Sequence, residues 1–469
     1  MFLGAYIMDI KSILYNLPEV KHPEEKKLSF NVKLKWTLII LAGFFILANI
    51  PLFGLAQNSL ERFEYLAIIL GTDFGSIISL GIGPIVMASI ILQLLVGSGI
   101  LKIDTSSSEG KKFFQGIQKL GVIGFIFFEA LVYVLMGGLQ AQPGFAGIVI
   151  FQLIIGGLAI MFMDEVTSKW GFGSGVSIFI VAGVAWRIFN GLFQFVGVNG
   201  ENCLTDFAGT PCAGNVLIIL QSVINGAPKE ALLAVSTILV TAGIFAAVIW
   251  AQSLKVEIPL SYDRLRGYSM KWPLAFFYTS NIPVILTAAL VANIQLFGSL
   301  IENAVGHGTL LGTFSNGQAV SGLSFWLGNS NILESVIRGN LQTIQIFQGV
   351  THLIFYMGIS VIFAIFWVKT SGMDAQAQAK KIIASGLQIP GFRKDERVLE
   401  AILSRYILPL TVMGGMAIGA LAAITDSLGA LTSGTAILLG VMIMYQLYQN
   451  IAQQHAVDMH PVLRKVVGP

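Results

Sequence analysis

The sequence predicts an all-α membrane protein of ten transmembrane helices, arranged as two pseudo-symmetric, inverted halves of five helices each. Hydrophobic residues make up 55% of the 469 residues and charged residues only 11%, whereas soluble domains carry about 25% charged residues. Apolar runs of about 20 residues, the length that crosses a bilayer, recur ten times. The predicted spans are Trp36–Phe53, Ile77–Leu95, Leu120–Leu139, Phe145–Met163, Val176–Phe195, Leu232–Ala251, Asn281–Leu300, Phe347–Val368, Tyr406–Ile424 and Leu431–Tyr448.

The distribution of basic residues predicts the orientation of these spans. With the loops assigned alternately from an inside N-terminus, all but four of the 28 Lys and Arg residues fall on one side. The exceptions are Arg62, Arg187, Lys229 and Arg338. Because cytoplasmic loops are enriched in Lys and Arg, both termini are expected to be cytoplasmic.

An odd number of spans in each half gives the two halves opposite orientations, as in transporters built from inverted repeats. We expect a cytoplasmic N-terminal segment, two halves joined by an external hinge loop, and a cytoplasmic tail. In order, these are 1–35, 36–196, 197–231, 232–450 and 451–469.

The stretch before the second span combines a short polar segment with a break. In SLERFEYLAIILGTDFG, the residues Leu60, Phe63, Leu66 and Ala67 have helical spacing among several charges. The following LGIGPIVMASIILQLL carries a Gly-Pro pair that is typical of a helix start. Either the polar segment lies on the outer leaflet as an interfacial helix, or it folds into an aqueous cavity. The second reading favours a transport path, because broken helices at membrane depth need protein or water around them.

Few side chains offer chemistry inside the membrane. Glu129 is the costly buried charge, and a structural role and a functional role suit it equally well. In a small-solute transporter, Glu129 would serve as a proton or ion site, and Asn293 is the other polar residue that comes near the middle of the membrane. A Gly-Ser-Gly triplet around Ser174 suggests a hydrolase, but no histidine is expected inside any span to activate the serine, so helix packing by small residues is favoured.

The sequence contains no P-loop motif and no histidines at metal-ligand spacing on a span, so no cofactor and no metal are expected. The two cysteines, Cys203 and Cys212, lie in the external hinge loop. Their spacing in an oxidising exterior fits a disulfide, and two unreactive thiols fit it equally.

Two cytoplasmic loops are long and basic. They read KVEIPLSYDRLRGYSMKW and QIPGFRKDERVL. Such loops set membrane orientation and contact lipid headgroups, or they dock a large anionic partner such as RNA. The candidate docking residues are Arg264, Arg266, Lys271, Arg393 and Lys394.

Taken in order, the motifs of the whole chain resemble the SecY family of protein-conducting channels in its archaeal form. The resemblance rests on LPEVKHPEEKKLSF, LGIGPIVMASIILQLL, FGSGVSIFI, EIPLSYDRLRG, YTSNIPVILTAALVANIQLFG and PGFRKDERVLEAIL, which follow in the order of the family. It implies a two-half clamshell around an hourglass pore with an apolar ring at its waist. The matching ring positions are Ile82, Val86, Val176, Ile180, Ile285 and Leu439.

The resemblance also assigns the gating parts of the channel. The segment containing Leu60, Phe63, Leu66 and Ala67 matches a plug, with glycines beside it as hinges. A lateral gate would form between spans two and three and spans seven and eight. Its polar positions match Glu129 and Asn293, while Met87 replaces a residue that is often Thr in the family.

The implied protein is a passive channel in the cell membrane, not an enzyme. It would pass unfolded secretory polypeptides across the membrane and release transmembrane segments sideways into lipid. The implied partners are two single-span subunits, SecE (gamma) and beta, a ribosome docked on the basic loops, signal sequences, nascent polypeptides and membrane lipids.

Overall fold

The computed structural model of the protein describes residues 17–25, 28–58, 74–97, 99–101, 103, 107–196, 202–204, 207, 210–262, 269–279, 282–315, 318–384, 387–388 and 395–459. Within these ranges nine helices are long and apolar enough to cross a membrane, and a shorter apolar helix, Gly83–Gly97, coincides with the second predicted span. The prediction of an all-α membrane protein with ten spans is confirmed.

Among the described residues, the first half contains five helices, followed by a short helix in the loop between the halves. Hydrogen bonding within each helix satisfies its backbone in a medium without water, which is why apolar runs of this length fold as helices. The elements are α1 (Phe30–Ala48), α2 (Gly83–Gly97), α3 (Ser108–Leu135), α4 (Ala146–Trp170), α5 (Gly175–Phe193) and α6 (Asn215–Ile224).

The second half contains five long helices and three short ones. The elements are α7 (Pro228–Ser253), α8 (Ile282–Val305), α9 (Gly322–Leu327), α10 (Ile332–Arg338), α11 (Thr343–Thr370), α12 (Ala375–Ala384), α13 (Glu396–Ser427) and α14 (Gly434–Met459). The tenth helix thus extends beyond the predicted end at Tyr448, into the segment predicted as a tail.

Local sequence sets several helix starts. The Ser107 side chain accepts a hydrogen bond from Gly110 N at 3.0 Å at the start of α3. Asp395 accepts one from Arg397 N at 3.0 Å at the start of α13. Pro228 begins α7, where a residue without an N–H loses no hydrogen bond. These side chains satisfy backbone donors that the first turn leaves unpaired.

The second span differs from its prediction, because its helix begins at Gly83 and not at Ile77. Residues 76–83 instead form a series of turns, with Ser79 N bonded to Ser76 O at 3.0 Å and Gly81 N bonded to Ile78 O at 2.8 Å. Gly81 has a φ of +52°, a left-handed conformation that interrupts the helix. The apolar run of the second predicted span therefore begins before the helix that forms within it.

Seven short strands, which the prediction of helices did not include, form three small sheets in the loops. On one side, β1 pairs with β2 and β5 with β6, both antiparallel. On the other, β3 lies between β4 and β7 in a three-stranded antiparallel sheet. The strands are β1 (Leu55–Asn58), β2 (Leu139–Ala141), β3 (Lys255–Tyr262), β4 (Ser269–Ala275), β5 (Thr313–Ser315), β6 (Gln318–Ser321) and β7 (Leu387–Gln388).

Helix α8 lies at the centre of the molecule. Most of its residues are buried, whereas the other long helices keep larger exposed faces. Its Ile285 and Ala289 join a hydrophobic cluster built by both halves. Its Ala292, Leu296 and Leu300 join a second cluster, whose other buried residues belong to the first half. The two halves therefore meet around α8.

Candidate functional site

The six predicted ring residues lie in one large hydrophobic cluster, to which helices of both halves contribute. Five of them are at most 5% exposed, and Val176 is half-buried against the same cluster. Aliphatic side chains packed in this way exclude water, and they carry no groups that form hydrogen bonds. The predicted ring residues are Ile82 directly before α2, Val86 on α2, Val176 and Ile180 on α5, Ile285 on α8 and Leu439 on α14.

The start of α2 places its two ring residues on one face. Val86 N donates to Ile82 O at 3.0 Å, so the residues are one helical turn apart. Pro84 is the second residue of the helix and supplies the fixed φ that a first turn needs. The glycine and proline residues predicted to mark this helix start do so.

Helices α5 and α14 bring the opposite ring residues together by close packing. A Cβ at Gly440 would lie 3.0 Å from Val184 Cγ1, so α14 approaches α5 closely at this point. Behind the ring, Phe179 stacks on Phe44 of α1 with the ring centroids 4.8 Å apart. Both rings are buried. The ring is therefore backed by a second layer of side chains.

We define the front seam as the contact of α2 and α3 with α8 and α11. At one end, a Cβ at Gly97 would lie 2.6 Å from Phe366 Cδ1. Further along, Phe128 and Phe297 have their ring centroids 6.4 Å apart. Ile126 and Leu296 belong to one buried cluster between the halves. The front seam is closed in this structure by small and apolar residues.

The three predicted gate residues lie at or beside the front seam. Met87 is half-buried and packs against the ring cluster. Asn293 is buried and donates to Ala289 O at 2.7 Å within its own helix. Glu129 is 1% exposed, and neither carboxylate oxygen has a hydrogen-bond partner among the described residues.

Glu129 faces the beginning of α2. A Cβ at Gly83 would lie 3.0 Å from Glu129 Oε2. The first turn of a helix carries partial positive charge, which favours an anion there. Because Gly83 has no side chain, the carboxyl group of α3 lies next to the start of the helix that carries Ile82 and Val86.

The predicted plug residues Leu60, Phe63, Leu66 and Ala67 lie outside the described residues. The chain that follows them is held firmly: Leu52 N donates to Gly75 O at 2.9 Å, and Ile77 N donates to Ile50 O at 3.0 Å. Gly75 has a φ of +97°. The connection from the plug segment into α2 thus turns at Gly75 and again at Gly81.

Of the predicted docking residues, Arg264, Arg266, Arg393 and Lys394 also lie outside the described residues. Lys271 is exposed on β4, and its Nζ lies 2.6 Å from Glu257 Oε2 on β3. The hydrogen bond to Glu257 raises the pKa of Lys271. The ammonium group is therefore already paired on the sheet.

The base of this sheet is anchored by Tyr278, whose hydroxyl donates to Met373 O at 2.7 Å. Burial, and to a smaller extent the Asp374 carboxylate, raises the pKa of Tyr278 to about 12. Because β3 pairs with β7 at Ser261 and Gln388, the loop after α7 and the loop after α11 form one unit.

We define the hinge region as the described residues between the end of α5 and the start of α7. Cys203 and Cys212 form a disulfide there, and both are buried. The Gln221 side chain accepts from Cys212 N at 3.1 Å and donates to Thr210 O at 2.8 Å. Gly214 N donates to Gln194 O at 2.8 Å, so the region is connected to α5.

Among the described residues, Ser174 has a hydrogen bond to an aspartate and none to a histidine. Its Oγ lies 3.3 Å from Asp164 Oδ1. The argument against a hydrolase overlooked that His352 lies inside the eighth span, but that ring contacts Leu327 O at 2.8 Å and Asp426 instead. Among the residues that the structure describes, no group of three or more His, Cys, Asp or Glu side chains could hold a metal ion.

The chain is similar to known proteins in both sequence and structure. The SecY family model matches residues 76–448. The protein translocase subunit SecY of Methanothermobacter thermautotrophicus is 45% identical over 457 residues, which is 96% of this chain and 97% of the relative.

Two solved structures are similar over almost the whole chain. One is a SecY protein whose plug domain stabilises the closed state of the translocation channel and maintains a membrane seal, with a TM-score of 0.81 and 38% identity. The other is Sec61 in the canine ribosome-channel complex from the endoplasmic reticulum, with a TM-score of 0.78 and 38% identity. Each alignment covers 96% of this chain and 98% of the known chain.

Proposed function

The chain belongs to the SecY family and is a channel-forming protein translocase subunit, and we propose that unfolded secretory polypeptides cross the membrane through its buried apolar ring. The observation that carries this proposal is the convergence of Ile82, Ile180, Ile285 and Leu439 from four helices into one cluster. A ring of aliphatic side chains closes tightly when empty, because it can dewet. It also yields to a polypeptide without binding its polar backbone.

A plug would complete the seal. The predicted plug segment, with Leu60, Phe63, Leu66 and Ala67, is followed by turns at Gly75 and Gly81 that connect it to the ring helix α2. In the related SecY structure, the plug domain stabilises the closed state. Displacement of this segment would free the path to the ring while α2 remains in place.

Lateral release would take place through the front seam. Its contacts are apolar, and a signal sequence or a transmembrane segment offers the same kind of surface. Each Leu, Ile, Phe or Val that moves into the bilayer favours release by about 0.3–0.6 kcal/mol. Met87, Glu129 and Asn293 would form the part of the gate that senses the arriving segment.

The cytoplasmic face would dock the ribosome. A related channel, canine Sec61, is found in a ribosome-channel complex. The basic residues Arg264, Arg266, Lys271, Arg393 and Lys394 would contact the phosphates of ribosomal RNA. Two single-span subunits, SecE (gamma) and beta, would complete a heterotrimer, and work would come from translation, since the chain has no P-loop.

The chain would lie in the cell membrane with both termini in the cytoplasm. The bias of Lys and Arg toward one set of loops supports this orientation. The hinge region then faces outward, where a disulfide between Cys203 and Cys212 is stable. The proposed halves would be 36–196 and 232–450, joined by the external hinge loop 197–231.

Crosslinking to a stalled nascent chain tests the proposed path. Single cysteines replace Val86, Ile180 or Ile285, and a control cysteine replaces Phe151, an exposed residue on the outer face of α4. The native cysteines are paired with each other and do not compete. Signal-dependent adducts at the three ring positions, absent at Phe151, are expected. Equal labelling at Phe151 would refute the ring assignment.

A further inference from the structure

Two contacts, a partly buried one in the first half and a buried one in the second, repeat the same local structure. In the first half, Asp164 near the end of α4 reaches the start of α5, where its Oδ1 accepts a hydrogen bond from Val176 N at 2.9 Å. In the second half, Asp426 near the end of α13 reaches the start of α14, where its Oδ1 accepts one from Thr435 N at 2.6 Å. Each is a carboxylate from the fourth long helix of a half on the backbone of the fifth.

The sequence around the two contacts matches as well. Val176 follows Ser174-Gly175, and Thr435 follows Ser433-Gly434. A hydroxyl supports the carboxylate in both places: Ser174 Oγ lies 3.3 Å from Asp164 Oδ1, and Thr435 Oγ1 donates to Asp426 Oδ2. The two contacts are therefore equivalent positions of the two halves.

Both glycines are required by close approach. A Cβ at Gly175 would lie 2.5 Å from Asp164 Cα. A Cβ at Gly434 would lie 2.1 Å from the carbonyl carbon of Thr425, the residue before Asp426. No larger residue fits at either point without separating the two helices.

The contacts fix the two helices that carry three of the predicted ring residues, Val176, Ile180 and Leu439. Ile180 is four residues after Val176, and Leu439 is four residues after Thr435, so each ring residue is one turn beyond a fixed N–H. The first turn of a helix leaves N–H groups unpaired, and a carboxylate bond there is strong. The helices α2 and α8, which carry the remaining ring residues, start differently, with Pro84 and Pro283 in their first turns.

We propose that Asp164 and Asp426 are positioning residues of the channel, which set the rotation and height of α5 and α14 and so place Ile180 and Leu439 in the ring. This inference rests on the proposed function, because it takes the ring to be the path of the polypeptide. The two aspartates touch neither the polypeptide nor each other. Each acts through the helix that it caps.

The test uses the full-length chain and the stalled nascent chain, with single cysteines at Ile180, Ile285 and Leu439. Asp164→Ala is expected to lower the adduct yield at position 180 about fivefold, the effect of losing a helix cap, and to leave position 285 unchanged. Asp426→Ala is expected to do the same at position 439. Asp164→Asn and Asp426→Asn keep an oxygen acceptor for the N–H and are expected to restore most of the yield.

Asp395→Ala is the control, because Asp395 accepts a hydrogen bond from the first turn of its own helix, α13, and α13 carries no predicted ring residue. It is expected to lower the melting temperature to a similar degree and to leave all three yields unchanged. If the adduct yield falls equally at all three positions in the aspartate variants, or falls in the same way in Asp395→Ala, both aspartates contribute only to general stability. Unchanged yields in Asp164→Ala and Asp426→Ala would refute the proposal.

The wild-type yields separate this inference from the proposed function. If the wild-type chain forms no adducts at the three positions, the ring assignment fails. If it forms them and the aspartate variants keep the same pattern, only the positioning role fails.

Discussion

The hinge region and the front seam both join the two halves of the molecule, and they are built in opposite ways. The hinge region uses a disulfide and directed hydrogen bonds, many of them to Gln221. The front seam uses small and apolar side chains, such as Gly97 against Phe366. Hydrogen bonds of Gln118 and Asn293 beside the seam remain within their own halves.

The difference indicates which connection can open repeatedly. The disulfide and the directed hydrogen bonds of the hinge region each hold one geometry, because a covalent bond does not exchange partners and a hydrogen bond depends on direction. An apolar contact can be replaced by a lipid tail or an apolar segment at little cost, since lipid is as apolar as the side chains. The hinge region is therefore suited to remain intact while the seam separates.

The largest expected effect comes from removing the disulfide. Cys203→Ser with Cys212→Ser is expected to lower the free energy of unfolding by about 3 kcal/mol, the value for a loop of this length. Thermal unfolding of the purified protein measures it, and reductant should lower the melting temperature of the wild type to the same level. If reductant leaves the melting temperature of the wild type unchanged, contacts other than the disulfide stabilise the hinge region.

The next effect has the opposite sign and acts at the seam. Glu129→Leu is expected to stabilise the closed protein by about 2 kcal/mol, because it removes a buried carboxylate with no partner among the described residues. Thermal unfolding checks the gain, and release of a transmembrane segment into lipid should slow. Glu129→Gln leaves a polar group in place and should gain less. Destabilisation by Glu129→Leu would instead assign the carboxylate a structural partner.

A smaller effect is expected from crowding the seam. Gly97→Ala places a methyl group against Phe366 and is expected to cost about 1–2 kcal/mol. Gly124→Ala on α3 is the control, because a Cβ there meets nothing within 4 Å. Denaturation midpoints of the two variants give the comparison. Equal midpoints would mean that the seam is looser than its packing indicates.

The smallest expected effect concerns an ion pair that lies in neither the hinge region nor the front seam. The hydrogen bond from Lys169, with its charge, lowers the pKa of Glu19 below its ordinary value of 4.5. A lowered pKa stabilises the folded state above the ordinary value, and this contribution is lost as the pH falls through the folded pKa.

Glu19→Gln is expected to cost less than about 1 kcal/mol at neutral pH, since Glu19 is largely exposed. Unfolding curves at neutral pH and below pH 4 measure the difference between wild type and variant. The difference should vanish in acid. A difference that persists in acid would exclude the ion pair as its cause.

Hydropathy predicted the ten helices because a chain in lipid must satisfy its backbone within each span. It could not predict that α2 starts at Gly83, since Ile77–Ile82 is as apolar as a helix and is interrupted only by backbone conformation. The strands and α6 were missed for a related reason. They lie in loops, where tertiary contacts such as those of Gln221 decide the structure.

The ring residues were reached only through the family resemblance. In a membrane protein, the local sequence around an aliphatic residue is the same whether that residue faces a pore or the lipid. Spacing alone therefore did not identify Ile180 as a ring residue. Asp164 and Asp426 were overlooked because the predicted spans ended just before them. The repeated Ser-Gly pair after each of them was the signal that could have shown the connection.

The three-stranded sheet formed by β4, β3 and β7 has a mechanical consequence. It joins the loop after α7 to the loop after α11, and both loops lead into helices of the second half. A force applied to either loop is thus shared by both and transmitted into the second half as a rigid unit. A partner bound to this sheet would hold the second half in place and leave the first half free to move.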